Sequence, residues 1–87
     1  MNDEEILKTN AHIPDSEVWQ DIADTEREIE QMTLEAEHLE KTPLSLPTAK
    51  MDHIRASARR SGIESRKQFI EKLRKLMALR SQQIQSK

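Results

Sequence analysis

Arg55, Arg59, Arg60, Arg66, Lys67, Lys72, Arg74 and Lys75 crowd into residues 55–75. Cations at this density neutralise phosphates, which gives sequence-independent, salt-sensitive affinity for nucleic acid. Arg66 and Lys67 fall where a helix is expected to begin, and a helix N-terminus also favours an anion. The same residues could instead be the positive face of a helix pair, each exposed ion pair contributing under about 1 kcal/mol. Charge is segregated along the chain: residues 1–41 hold 13 carboxylates against Lys8, Arg27 and Lys41, a balance of about −10. Residues 42–87 hold Asp52, Glu64 and Glu71 against 11 Lys and Arg, about +8. Either the two halves attract each other or the basic half meets an external anion.

Little else in the sequence supports reaction chemistry. His12, His38 and His53 have no ligand spacing between them, and there is no cysteine, so neither a metal site nor a disulfide is expected. The carboxylates of the first half recur too evenly to single out an acid–base pair. The chain has one glycine, which leaves no phosphate-cradling glycine loop. No enzyme activity and no cofactor are expected.

The elements that would position these side chains read as mostly α-helical. Residues 1–14 have no clean period, end at Pro14, and read as a flexible or weakly docked arm; residues 15–87 read as a single helical domain. Asp15 or Ser16 can cap a first helix over 15–41. Within it Val18, Ile22, Thr25, Ile29, Met32, Ala36 and Leu39 alternate in four- and three-residue steps, a coiled-coil-like seam surrounded by acids. Trp19 lies one step off that seam and reads as its buried flank. "KTPLSLP" (41–47) is a proline-rich hinge, with a short strand over 42–46 as one option. A basic helix over 48–61 carries Met51, Ile54 and Ala58 on its apolar face. Gly62 then stops it in a left-handed turn, and Ser65 with Gln68 forms a capping box. The last basic helix, 65–84, presents Phe69, Ile70, Leu73, Leu76 and Met77, its apolar face fading towards Ile84. With 34% hydrophobic residues, one Trp, one Phe and no Tyr, the core is thin for so short a chain, so a partner or a second copy is expected to complete it.

"LSLPTAKMDHIRASARRSGIESRKQFIEKLRKLM" (44–77) resembles the ribbon-helix-helix family of DNA-binding regulators. The positions that carry the likeness are Leu44, Leu46, Pro47, Met51, Ile54, Ala58, Gly62, Ser65, Arg66, Phe69, Ile70 and Leu73. The resemblance implies a dimer whose paired strands enter the DNA major groove. Lys41, Pro43 and Ser45 would be its outward strand side chains, and the cap at Ser65 and Arg66 its phosphate clamp. The order of a long helix, "LEKTPL" (39–44), "ARR" (58–60) and "RKQFIEKL" (66–73) is similar to part of a bacterial ribosome-assembly family, which would make the ligand RNA, bound through shape and phosphate contacts.

Three functions follow as expectations. The first is a small dimeric nucleic-acid-binding regulator, DNA rather than RNA, using Lys41, Ser45, Arg55, Arg59, Arg60, Arg66, Lys67, Lys72, Arg74 and Lys75. The second is a non-enzymatic protein-interaction module, an adaptor or a phage-style inhibitor, using the acidic helix. In it Val18, Ile22, Ile29, Met32 and Leu39 pack antiparallel on Phe69, Ile70, Leu73 and Met77, within a chain or across a homodimer. The third is a ribosome-associated RNA binder. No apolar run approaches the roughly 20 residues of a membrane span, and "MNDEEILKTN" does not read as a secretory signal. A cytoplasmic protein is expected.

Overall fold

The computed structural model describes residues 2–85, with side chains through Gln83. It is an antiparallel helical hairpin with a short third helix docked at its open end. Helix α1 spans Asp3–Thr9, α2 spans Asp15–Glu40 and α3 spans Ala49–Gln85. The molecule is elongated, 64 × 23 × 18 Å.

Residues 2–14, expected as a flexible or weakly docked arm, form α1 and a turn docked on the hairpin. Asn2 caps α1 by accepting from the Glu5 amide at 2.8 Å, and Asp3, Glu4 and Glu5 meet the positive end of the dipole. The Asn10 side-chain amide donates back to the Ile6 carbonyl at 2.8 Å and closes the helix. Ile6, Leu7 and Ile13 then pack on the apolar cluster of Val18, Ile22, Ile70 and Leu76, which offsets the ordering entropy of the segment.

Neither Asp15 nor Ser16 is the cap of α2. Pro14 occupies that position without a side-chain cap, and its carbonyl accepts from the Glu17 and Val18 amides. Asp15 and Glu17 lie in the first turn, where they suit the dipole. The seam is as its spacing predicts: Val18, Ile22, Thr25 and Ala36 are buried, and Ile29, Met32 and Leu39 are half-buried. It packs on α3 of the same chain.

The glycine turn is absent. α3 runs without interruption through Gly62, whose φ is not positive, so 48–61 and 65–84 are one helix. The glycine serves the facing helix instead: a Cβ at position 62 would lie 2.7 Å from the terminal methyl of Met32. Glycine here lets a bulky side chain approach, and its permissiveness for turns is not used. Ser65 accordingly caps nothing, and its hydroxyl donates to the Ser61 carbonyl at 3.3 Å inside the helix.

Continuity through Gly62 also changes which face is buried. Ala49, Ala56, Ile63 and Ile70, seven residues apart, are all buried, so one heptad stripe faces α2 along most of α3. Met51, Ile54 and Ala58 lie outside that stripe and are exposed. The core is large at the open end, where Val18 and Leu76 are fully enclosed, and becomes alanine-rich towards the hinge.

Residues 42–48 form turns and no strand. The amides of Leu46 and Ala49 donate to the carbonyls of Pro43 and Leu46 at 3.0 and 3.1 Å. These local bonds, with Pro43 unable to donate, leave no ladder edge for a partner strand. The Thr42 hydroxyl donates to Asp52 at 2.9 Å, and the His53 ring bonds the Thr42 carbonyl at 3.2 Å, fastening the hinge to the first turns of α3.

Candidate interaction surfaces

Most of the arginines in the basic cluster meet carboxylates of α2 and do not converge on an external site. Arg59 donates to Glu35 at 2.7 Å, Arg66 to Glu28 at 2.7 Å, Arg60 to Glu40 at 2.7 Å and Arg74 to Glu26 at 2.6 Å. At about 100° per residue, Glu28 and Glu35 share one flank of the α2 seam and Glu26 and Glu40 the other. The hairpin is therefore laced on both sides. The spacing that builds the lace is simple: Glu28 and Glu35 are seven apart, as are Arg59 and Arg66.

These bonds shift the carboxyls involved. The hydrogen bond from Arg59 holds Glu35 below the ordinary glutamate range, and the bond from Arg60 does the same for Glu40. Arg60 is held above its usual value by the bond to Glu40. Asp24 is also lowered, first by the hydrogen bond from Gln20 and then by that from Arg27.

The remaining predicted cations divide. Arg55 reaches Asp52 at 3.7 Å within its own helix, and Lys75 reaches Asp3 of α1 at 3.5 Å. Lys41, Lys67 and Lys72 are exposed, and Ser45 is exposed in the hinge turn. Arg80 was missed in the sequence. It donates to Asp15 at 2.5 Å and to the carbonyls of Asn10 and Ile13 at 2.8 and 2.7 Å, bracing the α1–α2 turn. No local spacing betrays it, because its partners lie 65 to 70 residues away.

No protein family, curated protein or solved structure matches this chain.

Of the residues expected to pack, Ile70 is buried and Leu73 and Met77 are half-buried, but Phe69 is 44% exposed and Trp19 is 54% exposed. Both expectations of burial fail for the same reason: the α3 heptad passes through Ile63 and Ile70, which turns Phe69 outward, and Trp19 falls one residue beyond Val18 on the flank. Trp19 borders a shallow groove with Arg74, Met77, Ala78 and Ser81. A second and longer apolar surface runs along the outer side of α3, with Phe69 at its edge nearest α2. Met51 (53% exposed), Ile54 (54%), Ala58 and Phe69 share it, with Ser61 and Ser65 between them, and at the hinge Leu44 (83%) and Leu46 border an open groove with Ile54 and Ser57. No helix of the described residues is long and apolar enough to cross a membrane.

Proposed function

We propose that this chain is a non-enzymatic helical-hairpin module for protein–protein interaction. The observation that carries the reading is the pairing of Arg59, Arg60, Arg66 and Arg74 with Glu35, Glu40, Glu28 and Glu26. A nucleic-acid-binding regulator needs those guanidinium groups directed at phosphate, and here each would have to leave a carboxylate first. Five large apolar side chains, Leu44, Leu46, Met51, Ile54 and Phe69, meanwhile stay in solvent along the hinge and α3. Exposed apolar area gathered on one side is a feature of protein-binding surfaces.

The test is fluorescence anisotropy of the full chain with mixed-sequence duplex DNA and with structured RNA, at low and moderate salt. The interaction module gives no binding to either. Binding that weakens steeply with salt and is lost on Arg59→Gln with Arg66→Gln would establish the nucleic-acid reading in its place.

A further inference from the structure

The face of α3 turned away from α2 is occupied at one end and bare over the rest, and the occupant of the first part indicates what belongs on the second. Near the open end of the hairpin, Leu79 of this face is buried and borders Asp3, Glu4 and Leu7 of α1. The residues of α1 are DEEILKT: two adjacent apolar side chains behind an acidic first turn. Asp3 of that turn meets Lys75 at 3.5 Å. α3 thus already accepts one acidic amphipathic helix, by apolar contact and by charge.

The same face continues towards the hinge through Phe69, Ser65, Ala58, Ile54 and Met51. At about 1.5 Å per residue the stretch from Met51 to Phe69 is about 27 Å long. Its centre is lined by Ala58, Ser61 and Ser65, side chains small enough for a second helix to approach closely. Its borders are cationic. At about 100° per residue, Lys50 and Lys72 fall on or beside it, with Arg55, which reaches Asp52 at 3.7 Å, at its edge, while the carboxylates of α3 (Asp52, Glu64 and Glu71) fall on the α2 side or the opposite flank. A second copy of the chain docking α3 to α3 in antiparallel fashion would bring Lys72 of one copy towards Lys50 and Met51 of the other, cation near cation. Charge complementarity selects a different occupant.

We infer that the Met51–Phe69 face of α3 is a docking site for an acidic amphipathic helix of a partner protein, laid along α3 in continuation of α1. Apolar residues of the partner at positions i, i+3 or i+4, and i+7 contact Met51, Ile54 and Phe69, and its flanking Asp and Glu residues meet Lys50 and Lys72. The inference rests on the interaction-module reading and specifies its surface and the class of its partner.

The experiment uses the full chain and a fluorescein-labelled synthetic peptide of about 18 residues, matched to the length of the face. The peptide carries Leu at heptad positions a and d and Glu at e and g; a control carries Lys at e and g. The acidic peptide binds and the basic one does not. Ile54→Asp and Phe69→Asp each weaken binding roughly tenfold or more, as for anchor residues, and Lys72→Glu weakens it at low salt and reduces the further weakening caused by added salt. All three positions are exposed, so the circular dichroism melt of each variant matches the parent. Equal binding of the two peptides, or acidic-peptide binding untouched by Ile54→Asp and Phe69→Asp, overturns the assignment. So does a homodimer in sedimentation equilibrium that Ile54→Asp dissociates, because a second copy then covers the face. Duplex DNA titrated in parallel separates the two failures: peptide silence without DNA binding defeats this face alone, whereas DNA binding defeats the module reading beneath it.

Discussion

Arg66 and Glu28 stand 38 residues apart in sequence and 2.7 Å apart across the hairpin, and Arg59 and Glu35 repeat the contact one heptad nearer the hinge. Reversing one member should therefore be rescued by reversing the other. Arg66→Glu lowers the urea midpoint by placing two carboxylates together, and Glu28→Arg added to it restores most of the loss. The coupling of the native pair in a double-mutant cycle is modest, about 0.2–1 kcal/mol, as for partly exposed ion pairs. A double reversal no more stable than the single one would show that these residues do not face each other.

Acid weakens the lace in a defined direction. Glu35 and Glu40 have carboxyl pKa values lower in the folded chain than in the unfolded one, because Arg59 and Arg60 donate to them. A depressed folded value means the unfolded state binds the proton first. The stabilisation is complete above the unfolded value and is lost as pH falls through the folded one, below the ordinary glutamate range. Melting temperature recorded against pH declines through that window, and Glu35→Gln combined with Glu40→Gln flattens the decline while lowering the neutral-pH plateau.

Gly62 distinguishes a continuous helix from a turn. Alanine in its place gains about 1 kcal/mol of helix propensity and displaces the Met32 methyl, the free end of a flexible side chain. The two effects nearly cancel, so the thermal midpoint of Gly62→Ala stays close to the parent. Gly62→Leu cannot be accommodated that way and costs about 2 kcal/mol, in the range of overpacked cores; Met32→Ala in the same chain recovers part of it. A loss of several kcal/mol in Gly62→Ala would mean that the residue is left-handed after all.

Arg80 holds the α1–α2 turn through two carbonyls and Asp15. Arg80→Gln keeps the length of the stem and removes the fork that spans those acceptors. Amide hydrogen exchange over residues 3–13 rises by about tenfold or more, the loss of roughly 1.4 kcal/mol of local protection. The amides around Val18 and Ile70 keep theirs. Uniform acceleration along the whole chain would instead make Arg80 part of the global core.

The α2 seam was legible because its signal is local and periodic: Val18 to Leu39 needs only the spacing of one helix. The α3 stripe was not, because two of its heptad positions, Ala49 and Ala56, are alanines that register weakly as hydrophobic, while Met51 and Ile54 are larger and draw the eye to the wrong face. Gly62 misled for a related reason. Glycine after a short amphipathic run is the ordinary mark of a helix end, and the Met32 side chain that explains it lies thirty residues upstream on another helix. The arginine–carboxylate lace was visible as segregated charge, which left open whether the basic half faces its own acids or an external phosphate. The α1 segment is too short for periodicity to show, and its order comes from the docking of Ile6 and Leu7 and from Arg80.

The close passage of Met32 over Gly62 has a consequence for alignment. Slide α3 along α2 by one heptad and one of the four arginine–glutamate bonds is remade, Arg66 with Glu35 or Arg59 with Glu28, while stripe still lies on stripe. Acidic and basic residues in equal steps cannot by themselves tell one offset from the next. Met32 can, because those offsets set it against Phe69 or Arg55, where a side chain fills the space. The absence of a long side chain at one position in a helix of 37 residues acts as the index mark on a repeating scale.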